Sequence, residues 1–249
     1  MAAEITNFEE QMAIGRVHAQ TPLFRHRLKF AQDGIAAMLQ AAPRSYVSIS
    51  FGKQSLCVAH MVYSVAPETP MFFLASDETW MLYDYADVIE QFLELCPIKL
   101  TIVQTHRLAG AKSWADYRAA GDQDLQQMCR REDWDGWFLG LAKDESRARR
   151  MTTLASYSQH TEHPSIFRYK DGKRRCCPVM HWSINDLAAY IATHKIPMLN
   201  IYRKFGLTQR TTARITKKML NNQGMALCRA TNSRGFREFT NLFPETNVQ

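Results

Sequence analysis

The sequence predicts an α/β protein in which a Rossmann-like parallel sheet carries helices on both faces, followed by a basic, mainly helical C-terminal region. Short β-rich or wholly apolar segments alternate with longer segments of helical apolar spacing through the first 150 or so residues. The composition, 46% hydrophobic and 22% charged, is that of a globular protein. Alternating strands and helices require crossover connections, which make the strands parallel.

Each predicted strand is short and rich in β-branched, aromatic or other apolar residues. These strands are 46–50, 71–75, 98–103 and 137–140. Each predicted helix repeats apolar residues every three or four positions, and several end near a proline. These helices are 7–40, 55–65, 80–95, 144–158, 183–193 and 208–220. Residues 160–180 are predicted as loop and hairpin, with Asp171 and Gly172 in the turn.

The predicted elements divide the chain into two regions. Residues 1–160 are predicted as an α/β core with an N-terminal helix, and residues 161–249 as a C-terminal region with a basic helical tail. The N-terminus is acidic and lacks an apolar core, and the longest apolar runs are far shorter than the ~20 residues that span a bilayer. We therefore expect a cytoplasmic protein with no membrane association.

Positive charge is concentrated near the C-terminus. The net charge is +7, and residues 187–237 contain ten Lys or Arg but no Asp or Glu. Such a stretch is either a solvated face or a surface for polyanions. The cations predicted to contact nucleic acid are Arg203, Lys204, Arg210, Arg214, Lys217 and Lys218. Helix 208–220 could act as a recognition helix.

The six cysteines do not follow metal-binding spacings. No two are spaced as C-x-x-C, so a zinc site or an iron–sulfur cluster is not expected. Scattered thiols in a chain of this size are typical of a reducing compartment. Cys176 and Cys177 are adjacent and follow a basic run, which leaves open either inert buried thiols or a role in sulfur chemistry.

The segment after the first predicted strand has the residues of an anion-binding loop. Gly52 allows a close approach of the backbone, and the following helix directs free N–H groups to the same place. Ser50 and Ser55 add hydroxyls and Lys53 adds a cation. The alternative is an ordinary strand–helix turn in which Ser55 caps the helix, because the segment is not the Walker pattern.

Four segments of the chain resemble the PP-loop adenine-nucleotide α-hydrolase superfamily, and within it the phosphoadenylyl-sulfate (PAPS) reductase family. They are residues 50–55, residues 74–79 with an Asp-Glu-Thr motif, residues 140–149, and residues 178–186 continuing to Pro197 and Tyr202. Their order and their positions after predicted strands or turns match the family. The resemblance covers residues 46–206 and implies a HUP-type α/β fold.

The resemblance also implies site residues. Those that would bind the nucleotide are Ser50, Phe51, Gly52, Lys53, Gln54, Ser55, Asp77, Gly140 and Ser146. Those that would act in catalysis are Lys53, Lys143, Glu145 and Arg149. The Asp of the superfamily's usual loop, which helps to hold magnesium, is Gln54 here, as in PAPS reductases, which carry Phe-Gly-x-Gln at this place. Asp77 therefore becomes the candidate Mg²⁺ ligand. The family's Arg at 142 is Ala142, and Lys143 is the neighbouring candidate for the missing cation.

Members of the superfamily cleave ATP between the α and β phosphates or bind a related adenylyl compound such as PAPS. The chain lacks the Glu-Cys-Gly-x-His segment that PAPS reductases use for sulfate reduction. The resemblance therefore implies an ATP pyrophosphatase that adenylates a substrate for sulfur transfer, similar to the ATPases of DNA phosphorothioation. The implied partners are an adenine nucleotide, DNA, sulfur-donor or modification-complex proteins and a second copy of the chain.

Two alternative functions stay open. The first is a thiol-dependent reductase of PAPS or adenylyl sulfate, which would depend on Cys176, Cys177 or Cys228. The second is a nucleotide-sensing DNA-binding module without turnover.

Overall fold

The computed structural model describes residues 7–105, 133–147, 149–151, 162–211, 226 and 229–242. These residues form a six-stranded, mostly parallel sheet surrounded by helices, which confirms the predicted α/β Rossmann-like fold.

The strands are β1 (Ser45–Ile49), β2 (Met71–Ser76), β3 (Leu100–Thr105), β4 (Gly136–Leu139), β5 (Ile166–Arg168) and β6 (Arg174–Cys176). Their order in the sheet is β3-β2-β1-β4-β6-β5, and β5 is the antiparallel strand. The chain proceeds outward from β1 to β3 and then returns to place β4 on the other side of β1. In parallel sheets, ligands bind at the carboxyl ends of the strands where the direction reverses, here β1 and β4.

The helices are α1 (Phe8–His18), α2 (Pro22–Ala41), α3 (Lys53–Val65), α4 (Asp77–Leu82), α5 (Tyr85–Leu95), α6 (Ile184–His194), α7 (Asn200–Phe205) and α8 (Ser233–Leu242). Within the described ranges, none of them combines the length and the apolar character needed to cross a membrane.

Two predicted helices are each divided in the structure. Residues 7–40 form α1 and α2, because the Thr21 hydroxyl accepts a hydrogen bond from Phe24 N at 3.2 Å and Pro22 occupies the first helical position. Residues 80–95 are interrupted where Tyr83 adopts an extended conformation and α4 ends. Apolar side chains on both sides of each break enter the same core, so the helical spacing continues through the break and conceals it.

Two other predicted helices differ in their described parts. Residues 143–145 form a 3-10 turn, Ser146 is extended, and helical backbone is present at 147 and 149–151. Residues 208–211 are not helical. The remaining parts, 152–158 and 212–220, lie outside the described residues.

The C-terminal region completes the same sheet. β4 pairs with β6, and the β5–β6 hairpin turns at Gly172, whose φ of 84° confirms the predicted turn. Helix α1 packs closely on α6, since a Cβ on Gly15 would lie 2.5 Å from the Ala188 carbonyl carbon. Trp182 is 1% exposed and contacts Phe24. The division of the chain at residue 160 stays a prediction.

Candidate nucleotide-phosphate site

Residues 50–55, termed the β1–α3 turn, are held by their own serines. Ser55 Oγ donates to Gly52 O at 3.0 Å and accepts from Ser50 N at 3.2 Å and from Ser50 Oγ at 3.1 Å. Gly52 is the N-cap of α3, and it has no side-chain oxygen to bind the first N–H groups of the helix. The turn is therefore a rigid element with the N-terminus of α3 at its centre.

Phe51 anchors this turn in the core. It adopts the left-handed conformation with φ of 51°, and its ring is fully buried 4.9 Å from that of Phe73 and 6.1 Å from that of Phe92. The prediction that Phe51 binds the nucleotide is therefore corrected for its side chain, which faces the core and leaves only the backbone near a ligand.

Lys53 is almost completely buried, with 3% of its surface exposed. Its Nζ donates to Gln209 O at 2.8 Å and lies 5.1 Å from the centroid of the Tyr202 ring. Burial, reinforced by the charges of Arg210 and Arg149, lowers the pKa of Lys53 to about 7. No carboxylate of the described residues contributes to that pKa. Among the described residues, the Lys53 amine therefore has no carboxylate that offsets its burial.

The end of β4 approaches the same turn. A Cβ on Gly140 would lie 2.4 Å from Ser55 N and 2.6 Å from the Gln54 carbonyl carbon. Gly140, predicted to bind the nucleotide, thus packs against the backbone of the turn and sets its position. Gly52 is also confined, with Thr211 Oγ1 3.3 Å from the position of its Cβ.

A cavity of about 200 Å³ opens beside Lys53. Its walls come from four parts of the chain that are distant in sequence. The lining residues are Lys53, Gln54, Ala142, Asp144, Trp182, Ser183, Ile184, Leu187, Thr208 and Arg210. The predicted residues Lys53 and Gln54 are thus joined by residues that the sequence did not assign to the nucleotide.

The α6 wall of the cavity is fixed by a buried carboxylate. Asp186 is fully buried and accepts hydrogen bonds from Ser183 N and Ser183 Oγ, both at 2.6 Å, and from Arg27 Nη1. His18 Nε2 lies 2.8 Å from its other oxygen. Burial alone would raise the pKa of Asp186, but the bonds from Ser183, His18 and Arg27 outweigh it and hold that pKa below its ordinary value.

The predicted catalytic residues of the loop after β4 do not all lie at the cavity. Lys143 does not line the cavity; its charge, together with burial, lowers the pKa of His181. Arg149 is close enough to Lys53 for its charge to lower the Lys53 pKa. Ser146 Oγ accepts from Arg149 N at 3.1 Å. The Glu145 side chain lies outside the described part of the structure.

The magnesium prediction rests on carboxylates near this cavity. Asp77 begins α4 immediately after β2, but its side chain lies outside the described part of the structure. Among the described residues, no three His, Cys, Asp or Glu side chains form a cluster that could hold a metal ion. Mg²⁺ usually takes one or two carboxylates and the substrate's phosphates. Asp144, which lines the cavity, fits that requirement.

The described members of the predicted nucleic-acid surface make separate contacts. Arg203 Nε donates to Met198 O at 3.0 Å and lines a second cavity beside α1. Lys204 Nζ donates to Ala230 O at 2.7 Å. Arg210 lines the cavity beside Lys53. The other predicted contacts, Arg214, Lys217 and Lys218, lie outside the described residues.

The described cysteines are buried thiols. Cys176 Sγ lies 3.6 Å from Gly34 O, and burial raises its pKa far above the ordinary value. Burial also raises the pKa of Cys177 to about 11, although Arg175 and Arg149 oppose that shift. Both thiols are therefore protonated at neutral pH. Cys228 lies outside the described residues.

The sequence prediction missed Asp144, Ser183 and Thr208 as cavity residues. Asp144 was interpreted as part of a helix N-terminus, and Ser183 could have been suspected from its position beside Trp182 in the fourth family motif. No local signal in the sequence places Thr208 opposite Lys53.

Comparison with known proteins gives consistent matches. The family model "Phosphoadenosine phosphosulfate reductase domain" matches residues 44–206. The adenosine 5'-phosphosulfate reductase of Halalkalibacterium halodurans is 22% identical over 166 residues, covering 62% of this chain and 67% of that protein. The corresponding enzyme of Staphylococcus haemolyticus is 26% identical over 184 residues, covering 67% and 70%. The crystal structure of PAPS reductase from Candida auris, a phosphate complex, has a TM-score of 0.46 at 15% identity, covering 76% of this chain and 88% of that one.

Proposed function

The chain belongs to the phosphoadenosine phosphosulfate reductase domain family, and from that membership we propose that it binds ATP at the β1–α3 turn and cleaves it between the α and β phosphates. The product would be an adenylated substrate that is activated for sulfur transfer. The observation that carries this proposal is Lys53, a buried cation near Arg149 and Arg210 whose pKa no carboxylate of the described residues raises.

The proposed reaction needs little covalent chemistry from the protein. An oxygen of the substrate forms a bond to the α phosphorus, and the bond from that phosphorus to the bridging oxygen breaks. The electron pair leaves with pyrophosphate, whose added charge the cations stabilise. Lys53 and the N-terminus of α3 would hold the pyrophosphate, while Arg149 would neutralise charge from the β4 side. Mg²⁺, held by the phosphates and Asp144, would supply further neutralisation.

The proposed substrate is a nucleic acid, as in DNA phosphorothioation, and the basic C-terminal region supports this proposal. Sulfur would come from a persulfide of a partner protein. Its terminal sulfur would form a bond to the activated atom and expel AMP. A second thiol of the partner would then break the S–S bond, which leaves the sulfur on the substrate and a disulfide on the partner. A homo-oligomer stays a prediction.

A thiol-dependent reductase is the second candidate, because the similar proteins from Halalkalibacterium and Staphylococcus are named adenosine 5'-phosphosulfate reductases. The buried, protonated Cys176 and Cys177 give it no nucleophile in the described part of the chain. The reductase therefore predicts a dependence on Cys228.

The test is pyrophosphate release from ATP with Mg²⁺ and DNA. Lys53→Met, which keeps most of the length of the buried side chain but removes the charge, should slow release by about 100-fold. The control is Lys29→Met, since Lys29 is exposed and pairs with Asp33. The proposal is wrong if the wild type releases no pyrophosphate, or if it reduces PAPS with thioredoxin and loses that activity in Cys228→Ser.

A further inference from the structure

Arg210 lines the cavity as a cation that has no ion-pair partner among the described residues. It lines the cavity together with Lys53, and its charge lowers the Lys53 pKa. No hydrogen bond or ion pair joins its guanidinium to another residue in the described part of the chain. The charges of Lys53 and Arg210 repel each other, and a bound anion would relieve that repulsion.

The segment that carries Arg210 is fixed on both sides. Gln209 O accepts the hydrogen bond from Lys53 Nζ at 2.8 Å. Thr211 Oγ1 lies 2.9 Å from Tyr202 OH, and Tyr202 is 1% exposed. The hydrogen bonds of Gln209 and Thr211 thus hold the backbone of Arg210 beside the cavity.

Among the described lining residues, the loop after β4 contributes no cation to the cavity wall. Ala142 occupies that wall and is 2% exposed, and Lys143 beside it does not line the cavity. Asp144 is the acidic residue among the lining residues, and Arg150 Nη2 lies 3.5 Å from its Oδ1. Of the charged side chains that line the cavity, Arg210 and Lys53 are therefore the ones suited to an anion.

We infer that Arg210 binds the phosphate group of the ligand in this cavity, where it takes the place of the cation that Ala142 does not provide. Arg210 is then a ligand of the nucleotide and is not part of a nucleic-acid surface. A cavity of about 200 Å³ accepts a diphosphate group but not a duplex. This inference rests on the proposed function in one respect, that the cavity receives a phosphate. The family match ends at residue 206, before Arg210.

The experiment is titration calorimetry of the full chain with inorganic pyrophosphate. Arg210→Ala should weaken binding by about tenfold or more, because a charge-assisted bond is lost. Arg210→Lys, which keeps the charge, should retain more of the affinity. The matched control is Arg234→Ala, which removes an equal charge from an exposed pair with Glu238 and should bind as the wild type does. Circular dichroism checks that each variant is folded.

A second arm uses duplex DNA. In that arm, Arg210→Ala should leave the dependence of DNA affinity on salt unchanged. The inference is overturned if Arg210→Ala binds pyrophosphate as tightly as the wild type, or if it lowers the salt slope for DNA while pyrophosphate affinity stays intact. If the wild type binds no pyrophosphate at all, both the proposed function and this inference are wrong. If the wild type binds pyrophosphate and Arg210→Ala binds it equally well, only this inference is wrong.

Discussion

Lys53 is the residue on which the site depends. A lysine with 3% exposure normally needs a carboxylate partner, yet its Nζ has the neutral carbonyl of Gln209 as its hydrogen-bond acceptor. The protein therefore retains a cation in an environment that favours its neutral form. A bound phosphate would reverse that preference, because the ion pair stabilises the protonated amine.

This arrangement predicts a pH dependence of anion binding. The pKa of Lys53 is lowered to about 7, so the amine is protonated below that pH and neutral above it. Sulfate keeps its charge throughout this range and is the suitable probe. Its affinity, measured by calorimetry, should be highest below pH 7 and should fall as the pH rises through that value. Lys53→Arg, which stays charged, should show no such fall, and a constant wild-type affinity would contradict the prediction.

Asp186 is a buried carboxylate whose hydrogen bonds to Ser183, Arg27 and His18 are expected to stabilise the fold. Asp186→Asn would remove the charge that Arg27 and His18 share and leave Arg27 without its partner. We expect the free energy of unfolding in urea to fall by about 2–4 kcal/mol. Asp33→Asn, in an exposed pair with Lys29, should cost less than about 1 kcal/mol.

The same carboxylate predicts how stability changes in acid. The folded pKa of Asp186 lies below its ordinary value. Its contribution is therefore complete above the unfolded pKa of about 3.9 and is lost as the pH falls through the lower folded value. Asp186→Asn should lack this part of the acid-induced loss. A variant with the same acid profile as the wild type would contradict this role.

At the scale of elements, the contact between β4 and the start of α3 sets the geometry of the site. Gly140→Ala would place a Cβ 2.4 Å from Ser55 N, so the β1–α3 turn would have to shift. We expect a loss of about 1–3 kcal/mol in unfolding free energy and weaker pyrophosphate binding. Gly172→Ala is the control. The left-handed φ of 84° at Gly172 means that Ala there should lower the unfolding free energy by about 1–2 kcal/mol, but Gly172 is remote from the β1–α3 turn. Equal pyrophosphate affinities in the two variants would contradict the prediction.

The elements show what the sequence could and could not predict. Strands β1 to β4 were predicted because their β-rich or wholly apolar character is local, whereas β5 and β6 were predicted only as part of a loop and hairpin. The breaks between α1 and α2 and between α4 and α5 were not predicted. Apolar side chains are buried on both sides of each break, so the helical spacing of apolar residues continues through it. Thr21 followed by Pro22 is a start signal that could have located the first break. Tyr83 carries no comparable signal.

At the scale of the whole molecule, the predicted site stays a prediction, and the sequence could anticipate only its local geometry. Ser50, Gly52 and Ser55 form one turn, so a short motif could identify it. The bond from Lys53 to Gln209 joins residues 156 positions apart. A single sequence contains no record of such a contact, and Arg210 was consequently assigned to nucleic acid by its charge alone.

The basic C-terminal region gives a prediction for DNA binding. Arg203 and Lys204 are bound to the carbonyls of Met198 and Ala230, so their removal should change the salt slope of DNA affinity little. Lys217→Ala should lower that slope by about one if Lys217 contacts a phosphate. Fluorescence anisotropy over a range of salt concentrations checks this. A slope that falls equally in Lys204→Ala and Lys217→Ala would contradict the distinction.

The cavity beside Lys53 draws its walls from segments near residues 53, 142, 183 and 209. Most of the sheet is therefore finished before the last wall is added. A nascent chain that has been synthesised only as far as α6 could form the sheet. It would still lack the residues near 209 that complete the cavity wall. Ligand binding would then begin late in biosynthesis, after the segment near residue 209 has packed beside Lys53.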